Sequence, residues 1–260
     1  MSKLTIVKIG GKVINEEDQL DSFLKKFAAI KGDKILVHGG GNIASKLQEK
    51  LGVPVNMVEG RRVTDKEAIE IVSMVFSGLN KKIVAKMQAN GEHAVGLSGA
   101  DGNAIQSVKR PIKIIDYGFV GDVKAINAEF IRALLQAGTV PVFCALTHDK
   151  QGQLLNTNAD TIASEIAVGM SDMYDVDLVY CFEQPGVLSD FEKKTVISEI
   201  TPVSYKDHKD RGVISDGMIP KLDNAFNALG LGVFTVKIGH FDSIGLVQSN
   251  DYPGTIICLN

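Results

Sequence analysis

The sequence predicts an α/β fold on a mostly parallel sheet, and three observations carry that prediction. Apolar strand-like runs alternate with helical patterns through most of the 260 residues, the signature of parallel strands joined by crossover helices. Two glycine-rich turns, Lys8-Ile9-Gly10-Gly11 and His38-Gly39-Gly40-Gly41, each close a short apolar run. With 45% apolar and 23% charged residues, the chain has the composition of an ordinary globular protein and is long enough to bury a large core.

In chain order, the predicted core strands are residues 4–9, 34–38, 94–97, 139–143, 177–181, 233–238 and 255–259. The clearest helix starts near Thr64, where Thr64 and Glu67 form a capping-box pair. Ala68, Ile71, Val72, Val75, Phe76 and Leu79 then follow helical spacing. Asn127 caps a second helix, carrying Phe130, Ile131, Leu134 and Leu135 and stopping at Gly138. A third runs from about residue 217 to 229. Turn-rich β stretches at 53–58, 104–116 and 145–155 read as hairpins laid over strand ends, placed to form a lid. The pattern restarts near Asp172, so two lobes are expected, 1–170 and 171–260, sharing one sheet without a linker.

Net charge is −3 and the isoelectric point is near 6.0. Nothing therefore draws the whole molecule toward nucleic acid or an anionic membrane, and any anion binding must be local. Cys144, Cys181 and Cys258 stand singly in apolar runs and read as reduced, buried thiols of a cytoplasmic protein. The five histidines show no ligand spacing, so no resident metal is expected. The first strand begins within three residues, leaving no room for a leader, and no apolar run reaches the roughly 18 residues of a membrane span.

The chemistry concentrates at the glycine turns. Backbone without Cβ atoms brings N–H groups close to an anion, and a helix N-terminus behind it adds a favourable dipole. Two such cradles with the Lys8 ammonium between them suit phosphoryl transfer. The second turn also satisfies G-x-G-x-x-A through Gly39, Gly41 and Ala44, with Glu59 about 20 residues on, the spacing of a dinucleotide site. Against that reading, a complete βα unit with its own Gly-Gly turn precedes it. A tight turn that simply packs helix on strand stays open.

Lys8 sits near the end of a strand that should be buried, where lysines seldom stand without a partner or a task. The bland alternative is an ammonium that reaches solvent at the strand end. Lys221 follows Ser215-Asp216-Gly217-Met218-Ile219-Pro220 at a helix start, where it opposes the dipole unless a polyanion binds beside it. In Asn156-Thr157-Asn158-Ala159-Asp160, Asn158 as a cap and Asp160 in the first turn have an adequate structural explanation. In the functional reading, Asp160 faces the two lysines and orients them, while Asn156 bonds a polar substrate. Of Arg61 and Arg62, one guanidinium suits an acidic substrate and the other a solvated surface. Residues 183–188 leave a strand at its carboxyl end, where open α/β sheets bind ligands, although a plain turn explains them nearly as well. Gly99-Ala100-Asp101-Gly102 reads as a turn.

In order and spacing, these segments resemble the amino acid kinase family over essentially the whole chain. The resemblance rests on Lys8-Ile9-Gly10-Gly11, residues 38–41, 60–65 and 156–160, Gly118-Phe119-Val120-Gly121-Asp122-Val123, residues 215–221 and Gly254-Thr255-Ile256. It implies a three-layer αβα sandwich, with an acyl amino acid in the N-terminal lobe and ATP with Mg²⁺ in the C-terminal lobe. It implies that Lys8 and Lys221 stabilise the transferring phosphoryl group and that Asp160 organises them. Gly40, Gly41, Arg62 and Asn156 match contacts to an N-acyl-L-glutamate. Gly10 and Gly11 match phosphate-facing backbone. Glu183, Gln184, Pro185, Gly186, Val187 and Leu188, with Val213, Ile214 and Ser215, match segments around the nucleotide.

The implied reaction is ATP-dependent phosphorylation of the side-chain carboxylate of N-acetyl-L-glutamate on the route to arginine. A larger acyl group such as succinyl, or a sister kinase of the family, is the alternative. Glu183-Gln184-Pro185 and Gly99-Ala100-Asp101-Gly102 depart from the family pattern, the first beginning where Asp is usual. Some members carry an additional N-terminal helix that builds arginine-inhibited hexamers. This chain starts at its first strand, so an arginine-insensitive homodimer is expected. A non-catalytic sensor on the same scaffold would not need Lys8, Asp160 and Lys221 together, and an NAD(P) oxidoreductase is tested by cofactor titration.

Overall fold

Strands with apolar cores alternate with one-faced helices, and this alternation sets the α/β order of the chain. The computed structural model describes residues 1–58, 60–214 and 218–259. It shows a large, mostly parallel sheet with helices around it. Two compact units form, Met1–Leu36 with Ala163–Asn260, and Val37–Ile162.

Strand β1 (Ser2–Ile9) buries Leu4, Ile6, Val7 and Ile9 completely, as a strand covered on both faces must. Gly10 leads into the single turn α1 (Gly11–Asn15) and then α2 (Glu17–Ala28). Leu20, Phe23, Leu24 and Phe27 form the buried stripe of α2 at i, i+3, i+4 and i+7. Strand β2 (Asp33–His38) contains Lys34, whose ammonium is held by the Ala28 and Ile30 carbonyls at 2.7 and 2.9 Å.

The unit Val37–Ile162 continues with α3 (Gly41–Lys50), the two-stranded antiparallel ribbon β3 (Met57–Val58) and β4 (Arg61–Arg62), and the long α4 (Lys66–Ala89). The expected cap at Thr64 falls one residue later, at Asp65, which accepts from the Ala68 amide at 2.8 Å. Thr64 is taken out of that role because its backbone pairs with the segment around Gly118. Its N–H donates to Tyr117 O at 2.9 Å, and its carbonyl accepts from Phe119 N at 2.6 Å.

Next come β5 (Ala94–Leu97), β6 (Ile105–Lys109), β7 (Gly121–Ile126), α5 (Ala128–Gln136), β8 (Val140–Cys144), β9 (Leu146–His148), β10 (Leu154–Asn156) and α6 (Ala159–Met170). β5 runs parallel to β8, with Ala94 opposite Val140. A second sheet has the order β10-β9-β6-β7. The stretch 104–116 is not a hairpin by itself, because β6 pairs with β7 across the connection at 110–120. Asn127 caps α5 through the Phe130 amide, as expected.

The first unit resumes with β11 (Tyr174–Phe182), β12 (Leu188–Asp190), β13 (Thr195–Val196), β14 (Glu199–Ile200), α7 (Pro202–Asp210), α8 (Ile219–Gly230), β15 (Thr235–His240) and β16 (Thr255–Ile257). Within this unit the strand order is β14-β16-β15-β11-β1-β2. β1, β11 and β15 are mutually parallel, and β16 runs antiparallel to β15. The register sets Lys8 opposite Tyr180 and Phe182 opposite His240.

Candidate active site

Parallel strands end together, and the carboxyl edge of such a sheet is where loops can gather around a ligand. Half-buried Lys8 is the penultimate residue of β1. Beyond it the Gly10 amide donates to Cys181 O at 3.1 Å, and a Cβ on Gly10 would lie 3.4 Å from that oxygen. Burial pushes the Cys181 thiol up to about 12, with the Lys8 charge pulling the other way. Cys181 is therefore a protonated packing residue, and the ammonium is close enough for its charge to be felt.

β11 ends at Phe182, beside Gly10, and the segment 183–188 follows directly. Glu183 is exposed, Gln184 and Pro185 are half-buried, and Gly186, Val187 and Leu188 are buried. A Cβ on Gly186 would come within 2.7 Å of Val196 and 2.8 Å of the Thr255 hydroxyl. That hydroxyl accepts the Val187 amide at 2.8 Å, so the inner half of the segment is pinned. Half-buried Lys221 stands in the first turn of α8, and its amide donates to Met218 O at 3.0 Å. Val213 is half-buried and Ile214 buried. Ser215 lies outside the described residues, as do Asp216, Gly217 and Glu59.

The unit Val37–Ile162 holds the second glycine turn. His38 is fully buried, with Nδ1 at 2.7 Å from Gly39 O and Nε2 at 3.1 Å from Asn80 Nδ2. Because the carbonyl can only accept, Nδ1 carries the proton and Nε2 accepts from Asn80, whose amide also donates to Val142 O at 2.9 Å. Burial lowers the His38 pKa to about 4, against the smaller opposing effect of the Gly39 carbonyl. The ring is thus a neutral brace that fixes the Gly39 carbonyl. Gly40 is buried, and a Cβ there would meet Phe76 at 2.9 Å and Leu79 at 3.2 Å. Around exposed Gly41 a Cβ would meet nothing within 4 Å. α3 starts at this glycine with no side-chain cap and no acidic residue in its first turn, which leaves its dipole open to an anion.

Arg62 is 8% exposed, and desolvation lowers its pKa. Its guanidinium donates to Gln48 Oε1, to Gly41 O at 2.9 Å and to Ser45 Oγ at 2.6 Å. The structure thereby joins Gly41 and Arg62 directly. Three donations leave the Nε–H and one Nη1–H for a further acceptor. Half-buried Asn156 donates from Nδ2 to Thr64 Oγ1 at 3.0 Å, two residues from Arg62. Half-buried Asp160 sits in the first turn of α6, where Asn158 Oδ1 accepts the Asp160 and Thr161 amides at 2.7 and 3.3 Å. The predicted cap is present.

Lys8, Gly10, Gly11, Lys221 and the segments 183–188 and 213–214 belong to the first unit, while Gly40, Gly41, Arg62, Asn156 and Asp160 belong to the second. The supporting residues Gln48, Ser45 and Asn80 are absent from the sequence-level candidates, while Thr64 and Thr255 stand there only within segments that carry the resemblance. One signal was available: Gln48 falls four residues after Ala44, so a polar group shares the buried face of α3. The partner of His38 lies 42 residues away, where no local pattern reaches.

The model of the amino acid kinase family matches residues 3–240. The chain is 52% identical to a protein named acetylglutamate kinase from Cytophaga hutchinsonii, with 100% of both covered. It is also 52% identical to one of that name from Phocaeicola vulgatus, covering 98% of each. Among solved structures, smu.665 from Streptococcus mutans UA159 superposes with a TM-score of 0.76 at 29% identity, covering 99% of both chains.

Proposed function

The chain belongs to the amino acid kinase family, and from that premise we propose that it transfers the γ-phosphoryl group of ATP to the side-chain carboxylate of N-acetyl-L-glutamate. The product is N-acetyl-L-glutamyl 5-phosphate, an intermediate of arginine biosynthesis. The observation that carries the reading is 52% identity to acetylglutamate kinase of Cytophaga hutchinsonii along the full length of both chains. The local chemistry agrees with it: two glycine turns that follow buried strands, and a half-buried lysine beside the first.

A carboxylate is already a nucleophile, so the reaction needs no general base. The difficulty is holding two anions together while charge spreads over the migrating phosphoryl oxygens. We assign Gly10 and Gly11 to backbone donation toward phosphate, and Lys8 and Lys221 to offsetting the transition-state charge, with Asp160 as their organiser. Arg62, already forked onto α3, has N–H groups left for a substrate carboxylate, and Gly40, Gly41 and Asn156 complete the acyl-glutamate contacts. Residues 183–188 and 213–215 are assigned to the nucleotide. Among the described residues no cluster of three or more His, Cys, Asp or Glu side chains is placed to hold a metal. We assign Mg²⁺ to the ATP complex, where it would neutralise phosphate charge.

The same reading includes a homodimer in the cytoplasm that arginine does not inhibit. Among the described residues no helix is long and apolar enough to cross a membrane, and the three free cysteines suit a reducing compartment. Light scattering should give twice the 28.0 kDa chain mass. ADP release measured with N-acetyl-, N-succinyl- and free L-glutamate, with and without arginine, tests the rest. The highest kcat/KM is expected for the N-acetyl substrate, with no response to arginine. Preference for N-succinyl-L-glutamate would overturn the acyl assignment, and turnover of free glutamate alone would overturn the substrate class.

A further inference from the structure

The unit Val37–Ile162 contains a cavity of about 550 Å³ that none of the assigned residues lines. Its volume lies in the roughly 300–1,000 Å³ range of small-molecule sites. Arg61, Arg110, Lys113 and Asp122 supply its charges, and Ile115 and Tyr117 are part of its apolar wall. We propose that this cavity binds a small organic anion with an apolar body, such as an aromatic carboxylate or sulfonate.

Three cations face one carboxylate, so the lining carries an excess of positive charge. Arg110 donates to Asp122 Oδ1 from Nε at 3.0 Å and from Nη2 at 2.6 Å. Its Nη1 is buried with no hydrogen-bond partner among the described residues. The guanidinium lies 5.4 Å from the centre of the Tyr117 ring, which orients it and extends the apolar wall. Successive residues of a strand point to opposite faces. Arg62 is turned onto α3, and its neighbour Arg61 lines this cavity. The site is therefore distinct from the acyl-glutamate contacts although it shares the strand β4.

The test is fluorescence titration of the intact protein with 1-anilinonaphthalene-8-sulfonate while ADP and N-acetyl-L-glutamate are saturating, so that both substrates' sites are filled. One saturable site is expected, and binding should weaken about tenfold in the variant Arg61→Gln/Lys113→Gln. Ile115→Asp should weaken it as well, and citrate, a polyanion without an apolar body, should compete poorly. Both substituted cations are exposed, so the double variant should keep the wild-type unfolding transition and turnover, which controls for folding. Equal binding by the double variant, loss of the signal when ADP and N-acetyl-L-glutamate are added, or absence of saturation would each overturn the proposal. The readout does not depend on phosphoryl transfer, so failure here and failure of the kinase assignment are separable.

Discussion

The two glycine turns look alike as sequence but are held by different means. The first is tied by one backbone hydrogen bond, Gly10 N–H to Cys181 O at 3.1 Å, and a Cβ on Gly10 would make only ordinary contact. The second is braced by side chains: His38 fixes the Gly39 carbonyl, Asn80 fixes His38, and Phe76 with Leu79 leaves no volume for a side chain on Gly40. Protein packing alone thus demands a glycine at position 40. At position 10 it does not, and the absent side chain there is better explained by what must approach. One motif type therefore carries two physical causes, and the two can be separated by substitution.

The largest expected effect belongs to the first turn. Lys8→Ala should lower kcat by at least about 10²-fold, the scale of losing one transition-state donor. Its urea midpoint should stay near wild type, because the side chain is only half-buried. Lys221→Ala should behave in the same way in steady-state assays.

The second turn should instead respond to pH through stability. His38 is neutral in the folded state down to about pH 4 because burial holds its pKa below the usual 6.5. Above pH 6.5 folded and unfolded states are both unprotonated, and the full contribution is present. Between 6.5 and 4 only the unfolded state takes up the proton, so stability falls as pH falls. The linked loss is on the order of 3 kcal/mol. Urea melts at pH 7 and pH 4.5 should show this loss for the wild type and much less of it for His38→Gln.

The glycine pair sharpens the contrast directly. Gly40→Ala should cost about 1–3 kcal/mol of stability through overpacking against Phe76 and Leu79. Gly10→Ala should cost less than about 1 kcal/mol while still impairing turnover. Equal destabilisation in denaturant would erase the distinction drawn between the turns. Among the effects on catalysis, the smallest expected is for Arg62→Lys, which keeps the charge but loses the fork. Its KM for the acyl-glutamate should rise about tenfold with kcat less affected, a loss of about 1.4 kcal/mol in binding.

Much of the fold was legible because burial on both faces writes itself into unbroken apolar runs. Predicted strands 94–97 and 34–38 match β5 and β2 to within a residue, and the caps at Asn127 and Asn158 are present. The cap at Thr64 was misplaced because a bridge to Gly118, 54 residues away, captures its backbone. Lysines in strands were also ambiguous. Lys34 and Lys237 are charged residues in apolar runs like Lys8, yet their ammonium groups are held by main-chain carbonyls at 2.7–2.9 Å and serve packing. Lys237 even repeats the run Val-Lys-Ile-Gly, so only the second glycine, Gly11, marked Lys8 as different. The grip of Gln48, Ser45 and Gly41 on Arg62 was not legible as a contact: helical spacing puts Gln48 on the buried face of α3, but nothing in the spacing points to the ribbon that carries Arg62.

Hydroxylamine trapping during a single turnover addresses the chemistry most directly, because an acyl phosphate is converted to a stable hydroxamate. With ATP and N-acetyl-L-glutamate, the wild type should form hydroxamate in step with ADP, and Lys8→Ala should form it at least about 10²-fold more slowly. ADP release without hydroxamate, or unchanged trapping in the lysine variant, would contradict the assignment of this chain as a carboxylate kinase acting through Lys8.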